Sequence, residues 1–282
     1  MADDNATELV RLSDARFSKK GALDDLCQRV ADECYPARAD FTTERTLGQE
    51  FAEDMYTSMP AQWHRDLSYA MGALTRPKNQ NWFDPKAKDD ARNTEAAKAW
   101  FAHARDKQRT LLYSHRANFQ TAMEISDRDV TAFGNAVIGH AENPERDGLM
   151  VYTTYHFRDC AWAEDHFRIV NEVYRKFKIA LCNYEGIFRK PVPSQYADLL
   201  IKDPHHEIDL LHVVMPHDRY ASYGKKKSGE RKRPFCSVYV DPNQKTIIRE
   251  GGYYEFPYTV RRWQLQDGTP YARSPAADLG LV

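Results

Sequence analysis

The sequence predicts an α+β fold, a mainly helical N-terminal region followed by a mainly antiparallel β-rich one. Apolar residues recur every three or four positions as far as about Gly134, and beyond it the period falls to about two, as expected where helices give way to strands. A chain of 282 residues, 42% hydrophobic and 29% charged, is a globular composition with enough length for one or two domains. A third observation bears on packing. Aromatic residues make up 12% of the chain although its mean hydropathy is −0.72, which predicts aromatic-rich packing or a large surface between subunits.

The elements follow from spacing. Leu47, Phe51, Met55 and Met59 line one face of a predicted helix over 44–59, which Pro60 interrupts. Trp63, Leu67, Ala70, Met71 and Leu74 recur at threes and fours in a second helix that stops at Thr75-Arg76-Pro77. A polar connection over 78–92 carries the ring pair Trp82-Phe83. From an N-cap at Asn93-Thr94, a long helix with Ala97, Phe101, Ala104, Leu111, Phe119, Ala122 and Ile125 on one side runs to Gly134, with a break at Ser126-Asp127.

Strands are then predicted over 136–140 and 149–157, flanking the turn-forming segment 143–148, and another strand or hairpin over 167–179. A short helix covers 194–201, with Tyr196, Leu199 and Leu200 on its buried side. Strands follow over 208–215, 235–240 and 246–249, with Asp241-Pro242-Asn243-Gln244 as a hairpin turn. Gly251-Gly252 is read as a further reversal before strands over 253–256 and 259–265. The division is thus 1–140 helical, 141–266 β-rich, and a remainder over 267–282. No repeat or heptad array is present.

Several functional classes lose support. No apolar run reaches the length of a membrane helix, and Met1-Ala2-Asp3-Asp4 is acidic where a signal peptide is basic. The five cysteines are odd in number and widely spaced without C-x-x-C, which points to a reducing compartment. No Gly-x-Ser-x-Gly elbow, phosphate-binding glycine loop or His-Glu-x-x-His helix occurs, so no catalytic residue, cofactor or metal ligand is assigned. The alternative from another class is a cytosolic metal-dependent or nucleotide-processing enzyme using His205, His206 and His212 with the acids between them. The net charge of −1 excludes a histone-like attraction to nucleic acid but leaves room for a local patch. Lys225, Lys226, Lys227, Arg231, Lys232 and Arg233 form such a patch, suited to a phosphate backbone or a partner; its plain alternative is a solvated loop between strands.

Read together, four segments resemble the portal, or head-to-tail connector, proteins of short-tailed double-stranded DNA bacteriophages. They are Ala70-Met71-Gly72-Ala73-Leu74-Thr75-Arg76-Pro77 with Trp82-Phe83, then Ser114 to Phe119 with the Phe133-Gly134 helix end. Ile169 to Phe177 follows, and last Pro257-Tyr258 to Arg262-Trp263 with Gly268 to Pro275, which contains Tyr271, Arg273 and Pro275. Ala272 stands where the family usually has glycine, and members continue for a comparable length past the Arg-Ser-Pro motif, so the resemblance implies a portal protein or a truncated form of it, with 267–282 as the start of a continuation that is missing.

It also implies a wing-like β region and a non-enzymatic structural role as a dodecameric ring at the capsid vertex of the virion, assembled in the host cytoplasm. Its expected partners are its own copies, capsid and scaffolding proteins, the terminase, tail adaptor proteins and the double-stranded DNA passing through, with no membrane. Trp82, Phe83, Phe133, Gly134, Tyr258, Arg262, Trp263, Tyr271, Arg273 and Pro275 are expected to serve structure or subunit contact.

Overall fold

The computed structural model describes residues 4–43, 46, 48, 55–78, 80–89, 92, 94–142, 150–223 and 233–278. The long helices precede the strands along the chain and the sheets are antiparallel, so the α+β expectation holds. The compact units, however, are built from separate stretches: 1–23 with 157–257, and 24–156 with 258–282.

The first unit is a five-stranded meander, β3-β4-β5-β6-β7 in spatial order, made of β3 (Cys160–Glu164), β4 (Val170–Ala180), β5 (Glu207–Pro216), β6 (Phe235–Asp241) and β7 (Thr246–Tyr253). Because side chains alternate across a strand, β5 feeds two cores. Leu211, Val213 and Met215 meet Tyr174, Val238 and the buried Leu9 of helix α1 (Asp4–Cys34). Ile208 and Leu210 meet Leu181, Tyr184, Phe188 and Tyr196 beneath the short helices α5 (Tyr184–Phe188) and α6 (Ala197–Lys202). A strand covered on both faces carries apolar residues at successive positions, as Leu210-Leu211 and Val213-Val214-Met215 do here, with Asp209 and His212 the polar exceptions.

Buried charge in this unit is matched by partners. Lys20, fully buried, donates to the carbonyls of Phe157 and Arg158 at 2.8 and 3.1 Å. The carboxylate of Glu172 faces Arg219 and, at 3.9 Å, Arg16.

The second unit holds α2 (Met59–Thr75), α3 (Glu95–Leu112), α4 (Phe119–Phe133) and the three-stranded sheet β2-β1-β8, from β1 (Asn135–Glu142), β2 (Met150–Tyr155) and β8 (Tyr258–Arg262). A ladder of β9 (Gln264–Leu265) with β10 (Ala272–Arg273) and the turn-long α8 (Pro275–Asp278) complete it. Helix α4 is the unit's axis: α2, β1, β2 and α8 pack on it, and nine of its residues are buried.

Several expectations need correction. The N-terminal helix α1 was not foreseen; its apolar positions are sparse, and long-range burial against the β4–β6 face stabilises it. Part of the predicted 44–59 helix lies outside the described residues, and residues 55–58 are not helical. Pro60 opens α2 rather than breaking a helix, because the N–H it lacks has no acceptor in a first turn anyway. The break in the long helix falls at 113–118 and not at Ser126-Asp127; Asn118 there adopts a left-handed φ of 52°. Thr94 caps α3 by accepting from the Ala97 amide at 3.3 Å.

Phe167 and Ile169 lie outside any strand and are exposed, as is Leu199. Gly251 and Gly252 do not reverse the chain. They pair with Ser237 and Cys236 inside β7, where a Cβ on Gly252 would lie 2.6 Å from the Phe235 carbonyl oxygen. Residues 254–256 are not strand, and Trp263 interrupts the predicted 259–265 strand. The 143–148 turn lies outside the described residues.

One result inverts the sequence pattern. The apolar stripe of α2 faces solvent: Trp63 is 57% and Leu74 83% exposed, with Met59 and Leu67 beside them. The buried positions are His64 and Ser68. Gly72 lets the helix approach α4 so closely that a Cβ there would sit 3.1 Å from an Asp127 oxygen.

Candidate functional site

The residues singled out by motif converge in the second unit around both ends of α4. At its N-terminal end, Trp82 lies parallel to Phe119 at 6.2 Å and edge-on to Phe83 at 4.8 Å. Tyr152 from β2 meets the other side of Phe119 at 5.1 Å. These rings hold Trp82 and Phe83 against α4, as apolar anchors do.

At the C-terminal end, Gly134 takes φ +72° and its N–H bonds the Val130 carbonyl, the ordinary left-handed helix stop. Its carbonyl accepts from Trp263 N–H at 2.8 Å. A Cβ here would lie 2.5 Å from the Arg273 carbonyl carbon and 2.7 Å from Ser274 N, so only glycine lets the Arg-Ser-Pro segment close on the helix end. Asn135 completes the clasp, its side chain donating to the Ala272 carbonyl at 2.7 Å and accepting from Ala272 N–H at 2.9 Å. Ala272 sits buried in β10 with no positive φ, so the alanine introduces no strained turn.

Phe133 packs edge-on to Phe41 at 4.8 Å. Tyr258 pairs with Gly139 in the sheet, and its ring lies 6.0 Å from that of Tyr155. Arg262 pairs with Asn135, Tyr271 is buried, Arg273 reaches Asp278 at 3.3 Å, and Pro275 starts α8. Trp263 is partly exposed.

Sequence reasoning missed the charged centre of this unit. Asp127, almost wholly buried in α4, binds Arg76 from the end of α2 and, at 2.7 Å, Arg261 from β8, which also donates to Ser126 Oγ at 2.8 Å. Two residues on, buried Asp129 takes a two-pronged pair from Arg38 at 3.2 and 2.8 Å. The signal was available as Ser126-Asp127-Arg128-Asp129, four polar residues in succession within an amphipathic helix. Polar residues there mark either a break or a buried network, and only the fold distinguishes the two. Arg76 and Asp127, with Tyr69, Tyr113, Phe119 and Met123, also line a cleft of about 620 Å³.

Of the basic run, Lys225, Lys226, Lys227, Arg231 and Lys232 lie outside the described residues. Arg233 donates to the Gly252 carbonyl at 2.7 Å and covers the Tyr254 ring, contacts that tie it to the first unit's own sheet.

The histidine cluster of the enzyme alternative is not assembled. His205 and His206 are exposed in the turn after α6, while His212 is buried in β5, bonded to Ser237 Oγ at 2.8 Å and stacked on Tyr239. Among the described residues no three His, Cys, Asp or Glu side chains are grouped to hold a metal.

Burial, and secondarily the neighbouring Arg175, pushes the His212 pKa well below the ordinary 6.5. The folded state therefore keeps it neutral while the unfolded chain takes up a proton, so stability is full above 6.5 and falls as pH drops below it. Acidification from about pH 7.5 to about pH 5.5 is expected to cost on the order of 1 kcal/mol through this residue. His64, also lowered by burial, acts in the same direction. His212→Gln, followed by urea denaturation at each pH, should remove His212's share of the slope; an unchanged slope contradicts the assignment.

Among the described residues no helix is long and apolar enough to cross a membrane. No curated protein matches the chain. The profile of the bacteriophage head to tail connecting proteins matches residues 9–279, a span that contains the α4 clasp, the Asp127 centre and both compact units almost entirely. With nearly its whole length matched, the chain belongs to the family of bacteriophage head to tail connecting proteins.

Proposed function

We propose that this connector works as a portal subunit: copies of it close into a dodecameric ring at the capsid vertex of the virion. By this reading a separate terminase drives double-stranded DNA inward through the ring, and DNA later leaves through the tail. Capsid, scaffolding and tail adaptor proteins are its other partners. The subunit's own task is structural, and assembly takes place in the host cytoplasm.

The observation that carries the reading is the outward-facing apolar stripe of α2, with Met59, Trp63, Leu67 and Leu74 on one side of a helix whose buried side is polar. An amphipathic helix ordinarily buries such a stripe, and a contiguous exposed one marks an interaction surface. Family membership supplies the setting, since a head-to-tail connector acts through contacts with other proteins. Ring closure requires two different complementary patches on each subunit.

Sedimentation velocity and negative-stain microscopy of the purified chain test the reading. Closed dodecameric rings are the expected result. A protein that stays monomeric at every concentration overturns it.

A further inference from the structure

Helix α3 is packed unlike any other long helix of the chain. None of its described residues is buried. One side is tied to the preceding connection, through Arg105 to Asp84 at 3.1 Å and Arg109 to Asn81 at 2.9 Å. On the other side Ala96, Trp100, His103, Lys107 and Leu111 follow at spacings of four, three, four and four, and all are exposed, Trp100 by 64%. The acids of the helix are already engaged, Glu95 by Lys98 and Asp106 by Arg105, which leaves the stripe basic through Lys107.

The first unit carries a surface of opposite character. In 198–209, from α6 through the turn into β5, Ile201 is 81% exposed. Asp198, Asp203, Glu207 and Asp209 are exposed as well, and Lys202 is the one Lys or Arg in that stretch of sequence. Each surface thus has an apolar centre and a charged rim, the anatomy of a protein interface, and the two rims are opposite in sign.

We propose that the α3 stripe of one copy docks on the 198–209 surface of the next. This rests on the ring reading above and deepens it by naming the two patches. They differ from one another, so the contact is heterologous, the kind that propagates around a ring. Trp100 is its aromatic anchor, and Ile201 is the apolar residue it covers. The opposed charges set the register and make association weaken as salt rises.

A charge swap on the full chain tests the contact. Lys107→Glu on one patch, or Asp198→Lys on the other, should each weaken self-association at least about tenfold by sedimentation velocity at low salt. A chain carrying both changes should return to within about threefold of the wild type, because the attraction is restored with its sign reversed. Trp100→Ala should weaken association about thirtyfold. All these side chains are exposed, and circular dichroism of each variant confirms that the fold is kept.

Reversals that leave assembly unchanged, or a double variant no better than either single change, overturn the contact while leaving the ring reading intact. A wild type that does not self-associate overturns both.

Discussion

Asp127→Asn is expected to destabilise the protein by about 3–5 kcal/mol, measured as the shift of the urea midpoint at constant slope. The Asp127 side chain is 4% exposed, and it faces two guanidinium groups that are themselves largely shielded, Arg76 and Arg261. Desolvating three charged groups is costly, and the geometry offsets that cost because one carboxylate serves both cations in a low-dielectric setting. An asparagine of the same shape keeps a hydrogen bond but leaves two buried cations without an anion.

The network ties the C-terminal end of α2 and strand β8 to the middle of α4, so its loss is felt by three elements of the unit together. Pairing Asp127→Asn with Arg261→Gln should cost less than the sum of the separate changes, since the second removes one of the stranded charges. Asp66→Asn, on an exposed position of α2, should change stability by no more than about 0.5 kcal/mol. Equal effects at Asp66 and Asp127 would refute the buried-network account.

Gly134→Ala is the second large effect, expected at about 3 kcal/mol. About 1–2 kcal/mol comes from the left-handed backbone, which disfavours any Cβ. A comparable amount comes from displacing backbone atoms of Arg273 and Ser274, which lie where the new methyl must go and cannot rotate aside as a side chain would. The change should also loosen the segment from Ala272 to Asp278, because the Asn135 clasp and the Gly134 approach fix it jointly. Amide exchange at Ala272, whose N–H is bonded to Asn135 Oδ1, reads this directly.

Gly186→Ala is the matched control. It lies in α5 with nothing within 4 Å of a new Cβ and no positive φ, so alanine should be neutral or slightly stabilising there. Similar losses at both glycines would show that the Arg273 approach is not the cause.

How far the sequence reached depends on whether a feature is local. The Phe133-Gly134 helix end, the Thr94 cap and most of β4 to β7 were legible because their causes lie within a few residues, whereas the short β3 was not read as a strand. The ten motif residues fall in one unit. Their partners were not legible. Nothing near Gly134 in the sequence announces Arg273, and nothing near Ser126-Asp127 announces Arg76 and Arg261, so a polar pair inside an amphipathic helix was read as a break. Gly251-Gly252 was read as a turn for the same reason, although close approach to Phe235 explains it.

The sequence by itself determined the fold class, with helices ahead of an antiparallel β region, and, through motifs spread over most of its length, the resemblance to the connector family. These depend on periodicity and on residue types in order, which a linear chain displays directly. Tertiary structure alone decided that the compact units draw on non-contiguous stretches, that Asp127 balances two arginines, and that the apolar stripes of α2 and α3 face outward. Periodicity tells which residues of a helix share a face, but it carries no information on what that face meets. The surplus of aromatics predicted either dense packing or surface for neighbours, and the fold realises both: rings around Phe119 and Phe133 inside the second unit, and Trp63 and Trp100 on its surface.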